Sequence, residues 1–170
     1  EQLGLPQEKK LLLFVGRLET YKRPMAALEV LKKLDESYAL VLIGNGSMKE
    51  ELENRIQEER LQQRVIRREQ IPNVEMYRYY SAVDYYVNFN THEIFGMSIL
   101  EAMYQGCIVV ARRAPGPEEI IEDGRSGFLC GSDEEMVKRI SEQSPEHMGE
   151  LAQERIESVF TWRKSADRLV

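Results

Sequence analysis

A chain of 170 residues, 42% hydrophobic and 31% charged, can close one sizeable core and has the composition of a globular domain. Its net charge of −6 excludes bulk nucleic-acid binding, which needs a basic field, but leaves room for a small anion held by a few local cations. No apolar run reaches the length of a membrane span, and no signal-peptide pattern opens the chain.

Residues 1–10, EQLGLPQEKK, are polar and begin on Glu1 rather than Met. They read as a linker entering a domain, so the expectation is a fragment of a longer protein. Residues 11–16, LLLFVG, are a short continuous apolar run ending in Gly, as a buried parallel strand does. Residues 23–34 carry helical periodicity with a Pro in the opening turn. A second apolar run, YALVLIG, covers residues 38–44. The polar helix that follows starts at SMKE, where Ser47 and Glu50 have the spacing of a capping box. A short strand is expected at Val65–Arg67, a helix over PNVEMYRYYSAV, and a fourth strand at YYVNF. A helix at residues 95–105, a fifth strand at CIVVA, one or two helical turns at PEEIIED, and a short sixth strand at GFLC come next. Residues from Asp133 onward read as helices. No internal repeat or low-complexity segment interrupts the series. Strands alternating with helices imply βαβ units and a parallel sheet with helices on both faces. The expected fold class is α/β, a Rossmann-like three-layer sandwich with a parallel sheet of about six strands.

In such sheets ligands sit outside the carboxyl ends of the strands. Three loops there carry chemistry. The first, GRLETYK, has Gly16 for a sharp exit and two cations, Arg17 and Lys22. Arg can fork two phosphate oxygens and Lys acts as a point charge. Two solvated surface charges are the plain alternative; their placement in one ligand-edge loop favours an anion site. The second loop, GNGS, holds Gly44 and Gly46. It lacks the third glycine of a dinucleotide fingerprint, because Lys49 stands in its place, and no acidic residue ends the second strand. There is no Walker A sequence either. Taken alone, the segment is more often a turn than a site.

The third is HEIFGMSILEAMYQG, residues 92–106. Gly96 opens a helix, so the backbone N–H groups of Phe95, Gly96, Met97 and Ser98 lack partners within it and favour an anion. Ser98, Glu101 and Gln105 share one polar stripe. Either that stripe is simply solvated or it faces a ligand cleft, where Glu101 accepts hydrogen bonds from a diol and Glu93 meets a second polar group.

Cys107 and Cys130 lie in apolar surroundings and read as buried thiols of a reducing compartment. His92 and His147 are far apart, no Asp-x-Asp occurs, and no His/Cys cluster offers a metal cage. A diphosphate bound here must therefore be neutralised by cations and helix amides.

FVGRLETYK, LIGNG, HEIFGMSILEAMYQG and EEIIEDGRSGFL occur in this order, and the third carries two glutamates with seven residues between them, followed by Ala-Met and Gly. With these landmarks the chain resembles the carboxyl-terminal, donor-binding domain of a GT-B glycosyltransferase of the GT4 class, the "glycosyl transferases group 1" family. The likeness runs from about residue 3 to Trp162. It implies one half of a GT-B fold, a single nucleotide-sugar-binding domain over residues 1–170, and an acceptor-binding amino-terminal domain absent from this chain. It implies retaining transfer of a hexose from a UDP-, GDP- or ADP-sugar to an acceptor hydroxyl of a glycan or glycolipid, with no metal or other cofactor. In such enzymes a donor phosphate oxygen is thought to help deprotonate the acceptor.

By the same resemblance, Arg17 and Lys22 match the pair that holds the diphosphate, next to Gly16. The amides of Phe95, Gly96, Met97 and Ser98 match those contacting phosphate and hexose. Glu101 matches the ribose-binding glutamate, and Glu93 the one near the transferred sugar; a nucleophilic role for Glu93 stays open. Gly44 and Gly46 match the glycine turn near the nucleoside, and the backbone of Gln70 and Ile71 the base-binding loop. The catalytic set is Glu93, Arg17 and Lys22. His92 reads as a positioning or solvent-edge residue rather than a base. The chain departs from the family at Asn90, where Ser is usual, at Cys107, where Pro is usual, and near Arg68, where Gly is usual; the base-binding loop is most affected. Expected localisation is cytoplasmic, with a membrane surface met only through the full-length protein at the inner face. The isolated domain is expected to bind nucleotide weakly and turn over little.

Other classes fit less well. A nicotinamide-dependent oxidoreductase needs the missing glycine and ribose acid. A receiver domain needs acids where Gly16 and Arg17 stand. A GT-B nucleotide-sugar epimerase or phosphorylase shares the fold. A non-catalytic partner subunit of a transferase should have lost Arg17, Lys22, Glu93 or Glu101, and all four are present.

Overall fold

The computed structural model describes residues 2–160. Trp162 lies outside the described residues. The strands are β1 (Lys10–Val15), β2 (Tyr38–Ile43), β3 (Val65–Arg68), β4 (Tyr85–Asn88), β5 (Ile108–Arg112) and β6 (Phe128–Cys130). The helices are α1 (Pro24–Lys33), α2 (Lys49–Glu58), α3 (Met76–Ala82), α4 (Met97–Tyr104), α5 (Pro115–Ile120), α6 (Asp133–Ser141) and α7 (Met148–Val159). Every strand pair is parallel, in the order β3-β2-β1-β4-β5-β6.

The continuous apolar strands follow from burial on both sheet faces. Leu12 and Phe14 of β1 join Leu40, Leu42, Val87 and Val110 in one core layer, covered by α1, α2 and α6. Leu11 and Leu13 point the other way and join Ala39, Val41, Tyr86 and Val109 under α3, α4 and α7. Strand period two thus splits one apolar run between two cores. The result is the Rossmann-like three-layer sandwich that the alternation implied. Cys107 and Cys130 are free, buried thiols. Burial pushes both upward, Cys130 to about 12.

Three local expectations differ from the structure. The Ser47 capping box does not form: α2 begins at Lys49, its first turn has no side-chain cap, and the Ser47 hydroxyl donates instead to Glu19 Oε2 at 2.6 Å. The charge-assisted bond to a carboxylate across the cleft loops wins over a neutral local cap. The segment before α3 is a 3-10 turn, Asn73–Glu75, because Pro72 is extended and the α-helix starts only at Met76. α5 starts earlier than expected, with Pro115 in its first turn, and Asp123 leaves it to accept the Leu129 N–H at 3.0 Å on β6.

Candidate active site

The chain builds β1, β2 and β3 outward to one edge, then crosses back to lay β4 on the other side of β1. The loops after β1 and β4 therefore diverge from neighbouring strands, which opens a crevice at the switch point. It is a cleft of about 470 Å³, and Gly16, Arg17, Lys22, Glu93, Phe95, Gly96, Met97, Ser98 and Glu101 are among its lining residues.

Lys22 ends a 3-10 turn, Thr20–Lys22. The next residue, Arg23, is left-handed at φ 54°. Its guanidinium donates to both Asp133 oxygens, at 3.0 and 2.6 Å, and to the Phe89 carbonyl at 3.3 Å. Arg112 donates to the same Asp133 at 2.6 Å. This network ties the β1 loop, the end of β4 and the start of α6 together beneath Lys22. The Lys22 ammonium then reaches Glu93 Oε2 at 3.1 Å. Burial pushes the Glu93 carboxyl upward, but the Lys22 ammonium, the Gly96 N–H and the Asn88 side chain outweigh it and hold Glu93 below its ordinary 4.5. Arg17 is exposed on the same wall, with no ion-pair partner among the described residues.

Gly96 adopts φ 67° to turn the chain into α4. The N-cap Gly96 has no side chain to cap this helix start; the Met97 and Ser98 N–H groups have no hydrogen-bond partner among the described residues, and both residues line the cleft. Ser98 and Glu101 line the cleft from α4. The Tyr80 hydroxyl donates to Glu101 Oε2 at 3.1 Å, and the Tyr86 hydroxyl pairs with Ser98 Oγ at 2.6 Å. Gln105 does not join them. The helix ends at Tyr104, so Gln105 sits past the last turn, where helical spacing no longer places its side chain.

A second hollow adjoins the first through Val15, Gly16, Arg17, Asn73 and Met76. Gly44, Gln70 and Ile71 line it, with Asn45 and Glu69. Gly46 does not. A Cβ there would lie 2.6 Å from the Leu18 carbonyl oxygen, so the close packing of two loops requires glycine at this position. His92 is exposed, pairs with Thr91, and is not among the lining residues.

Sequence reasoning missed several participants. Tyr21, Asn73, Met76 and Tyr80 line the cleft. Gly116 of α5 donates its N–H to the Glu93 carbonyl at 2.8 Å and so pins the loop that carries Glu93. The Pro-Gly-Pro run at 115–117 was the available signal. Among the described residues no group of three or more His, Cys, Asp or Glu is arranged to hold a metal ion. No helix among them is long and apolar enough to cross a membrane.

A family model described as "Glycosyl transferases group 1" matches residues 1–157. Sulfoquinovosyl transferase SQD2 from Arabidopsis thaliana is 30% identical over 172 residues, covering 95% of this chain and 32% of that protein. Anabaena HepE, solved in complex with UDP-glucose, superposes with a TM-score of 0.82 at 25% identity, covering 99% of this chain and 50% of that one. The C-terminal domain of a glycosyl transferase group 1 family protein, LpcC from Francisella tularensis, gives a TM-score of 0.79 at 24% identity, with 95% and 90% covered. The chain spans less than half the length of the curated relatives first matched.

Proposed function

This chain belongs to the glycosyl transferases group 1 family, and we propose from that premise that its cleft is the donor site of a retaining hexosyltransferase of GT-B architecture. One observation carries the proposal: two cations from the loop after β1, and two glutamates and the α4 start from the segment after β4, line a single cleft at the sheet's switch point.

In this reading Arg17, Lys22 and the α4 amides receive the diphosphate, and Glu101 accepts the ribose hydroxyls. Glu93 orients the hexose, and the backbone at Gln70 and Ile71 meets the base beside Gly44. As the bond from the anomeric carbon to the diphosphate oxygen breaks, charge grows on the leaving group where those cations and amides already point. The acceptor oxygen bonds to the anomeric carbon on the same face, and its proton passes to a phosphate oxygen of the departing diphosphate. Neutralisation falls to the side chains and amides of the cleft, with no protein-held metal in the scheme. The acceptor, a glycan or glycolipid hydroxyl, is supplied against an amino-terminal domain of the longer protein, which works at the cytoplasmic face of a membrane.

Calorimetric screening of UDP, GDP and ADP against the chain tests this. Binding of one of the three, abolished by removing the cations, is expected. Absence of binding to all three overturns the donor-site reading. UDP is the first probe, because the Anabaena HepE structure holds UDP-glucose.

A further inference from the structure

We propose that two core tyrosines, Tyr80 and Tyr86, are positioning residues that set the orientation of Glu101 and Ser98; the proposal rests on the donor-site reading. Tyr80 comes from α3 and Tyr86 from β4, and both lie in the core layer beneath α4. Their residues are 2% and 1% exposed, and their rings meet edge to face with centroids 5.9 Å apart. A buried phenol needs a hydrogen-bond partner, or its desolvation is a net cost. Phenylalanine would fill the same volume without that demand. Here both hydroxyls find their partner on a polar side chain of α4 that lines the cleft.

The direction of the Tyr80 bond follows from its partner. Tyr80 donates to Glu101 Oε2, because an ionised carboxylate can only accept. Glu101 is exposed, and a free glutamate at such a position samples several rotamers. The fixed phenol selects one and leaves the other carboxylate oxygen for a ligand. The Asn88 Oδ1 accepts the Asn90 N–H at 3.0 Å and fixes the end of β4 next to Tyr86. The Tyr86 and Ser98 hydroxyls share one hydrogen bond of 2.6 Å in which either can donate. With an anion at the α4 start, the pair settles with Tyr86 donating to Ser98 Oγ and the Ser98 proton turned to the anion. The two phenols, packed on each other, hold the diol acceptor and the anion donor in one fixed relation before any ligand arrives. Such preorganisation spares ordering cost on binding.

Tyr80→Phe and Tyr86→Phe keep the rings and remove only the hydroxyls. In the ligand-free chain, three-bond couplings should report a single χ1 rotamer for Ser98 and for Glu101. Tyr80→Phe should average Glu101 alone, and Tyr86→Phe Ser98 alone. In calorimetry with UDP, each variant should bind about three- to ten-fold more weakly, the range of one hydrogen bond's net contribution. Tyr86→Phe should cost nothing further in a Ser98→Ala background, nor Tyr80→Phe in a Glu101→Ala background. Couplings already averaged in the wild type, or unchanged in the variants with additive affinity losses, overturn the positioning proposal alone. If the wild type binds none of UDP, GDP or ADP, the donor-site reading falls, and the couplings still decide whether the tyrosines orient their partners.

Discussion

The Lys22 ammonium and the Glu93 carboxylate form an ion pair of 3.1 Å within the cleft. The pair is three-quarters or more buried on both sides, so neither charge is fully screened. A diphosphate and Glu93 therefore compete for the same ammonium, and the two residues are expected to affect nucleotide binding in opposite directions.

Replacing Lys22 by Ala removes the cation that meets the anion. A charge-assisted bond contributes roughly 1.5–3 kcal/mol, so UDP affinity should fall about ten- to one-hundred-fold. Titration calorimetry of Lys22→Ala against wild type checks this, with circular dichroism confirming the fold. An unchanged affinity would place the diphosphate elsewhere.

Glu93→Gln releases Lys22 while keeping the side-chain shape. UDP, which lacks the sugar, should bind about two- to five-fold more tightly at low ionic strength, the scale of a partly exposed ion pair. The gain should shrink as salt is added. A loss of UDP affinity would show that Glu93 itself touches the nucleotide.

Gly116→Ala attacks the site from behind. A Cβ at Gly116 would lie 2.8 Å from the Ile94 carbonyl carbon and 3.0 Å from the Glu93 carbonyl oxygen. One backbone must move, at a cost of about 1–3 kcal/mol for an overpacked contact. Thermal denaturation should show the destabilisation, and the displaced Glu93 loop should weaken binding of a UDP-sugar more than that of UDP.

Asp133→Asn probes the acid response. Burial raises the Asp133 carboxyl, but hydrogen bonds from Arg23 and Arg112 outweigh this and leave it below its ordinary 3.8. A carboxylate whose folded value is depressed contributes stability above the unfolded value, and that contribution is lost as pH falls through the folded one. At neutral pH the variant should be less stable by about 1–3 kcal/mol. The gap to wild type should begin to narrow as pH falls past the ordinary 3.8 and close only below the lower folded value, where Asp133 protonates in the native state and becomes equivalent to Asn. Urea denaturation across that range checks it; a gap constant with pH would mean that the network does not depend on the charge.

The apolar runs, their Gly ends and the helices between them were legible because burial on both sheet faces is written locally, residue by residue. So was the ligand edge, since every strand of a parallel sheet ends on the same side. The candidate residues of the third loop were legible as a stripe, though Gln105 fell off it where α4 stops. What no local pattern contains is strand order. Placing β4 beside β1 brings Glu93 to Lys22, Asp133 to Arg23 and Phe89, and two core tyrosines under Ser98 and Glu101. The same global packing took Ser47 away from its cap to Glu19 and pressed Gly46 against the Leu18 backbone. Sequence by itself determined which elements form and which side chains reach the ligand edge, because periodicity and turn chemistry act over a few residues. Only the tertiary structure decided which of those side chains pair, because hydrogen bonds and ion pairs act over about 3 Å between groups that the crossover from β3 to β4 brings together.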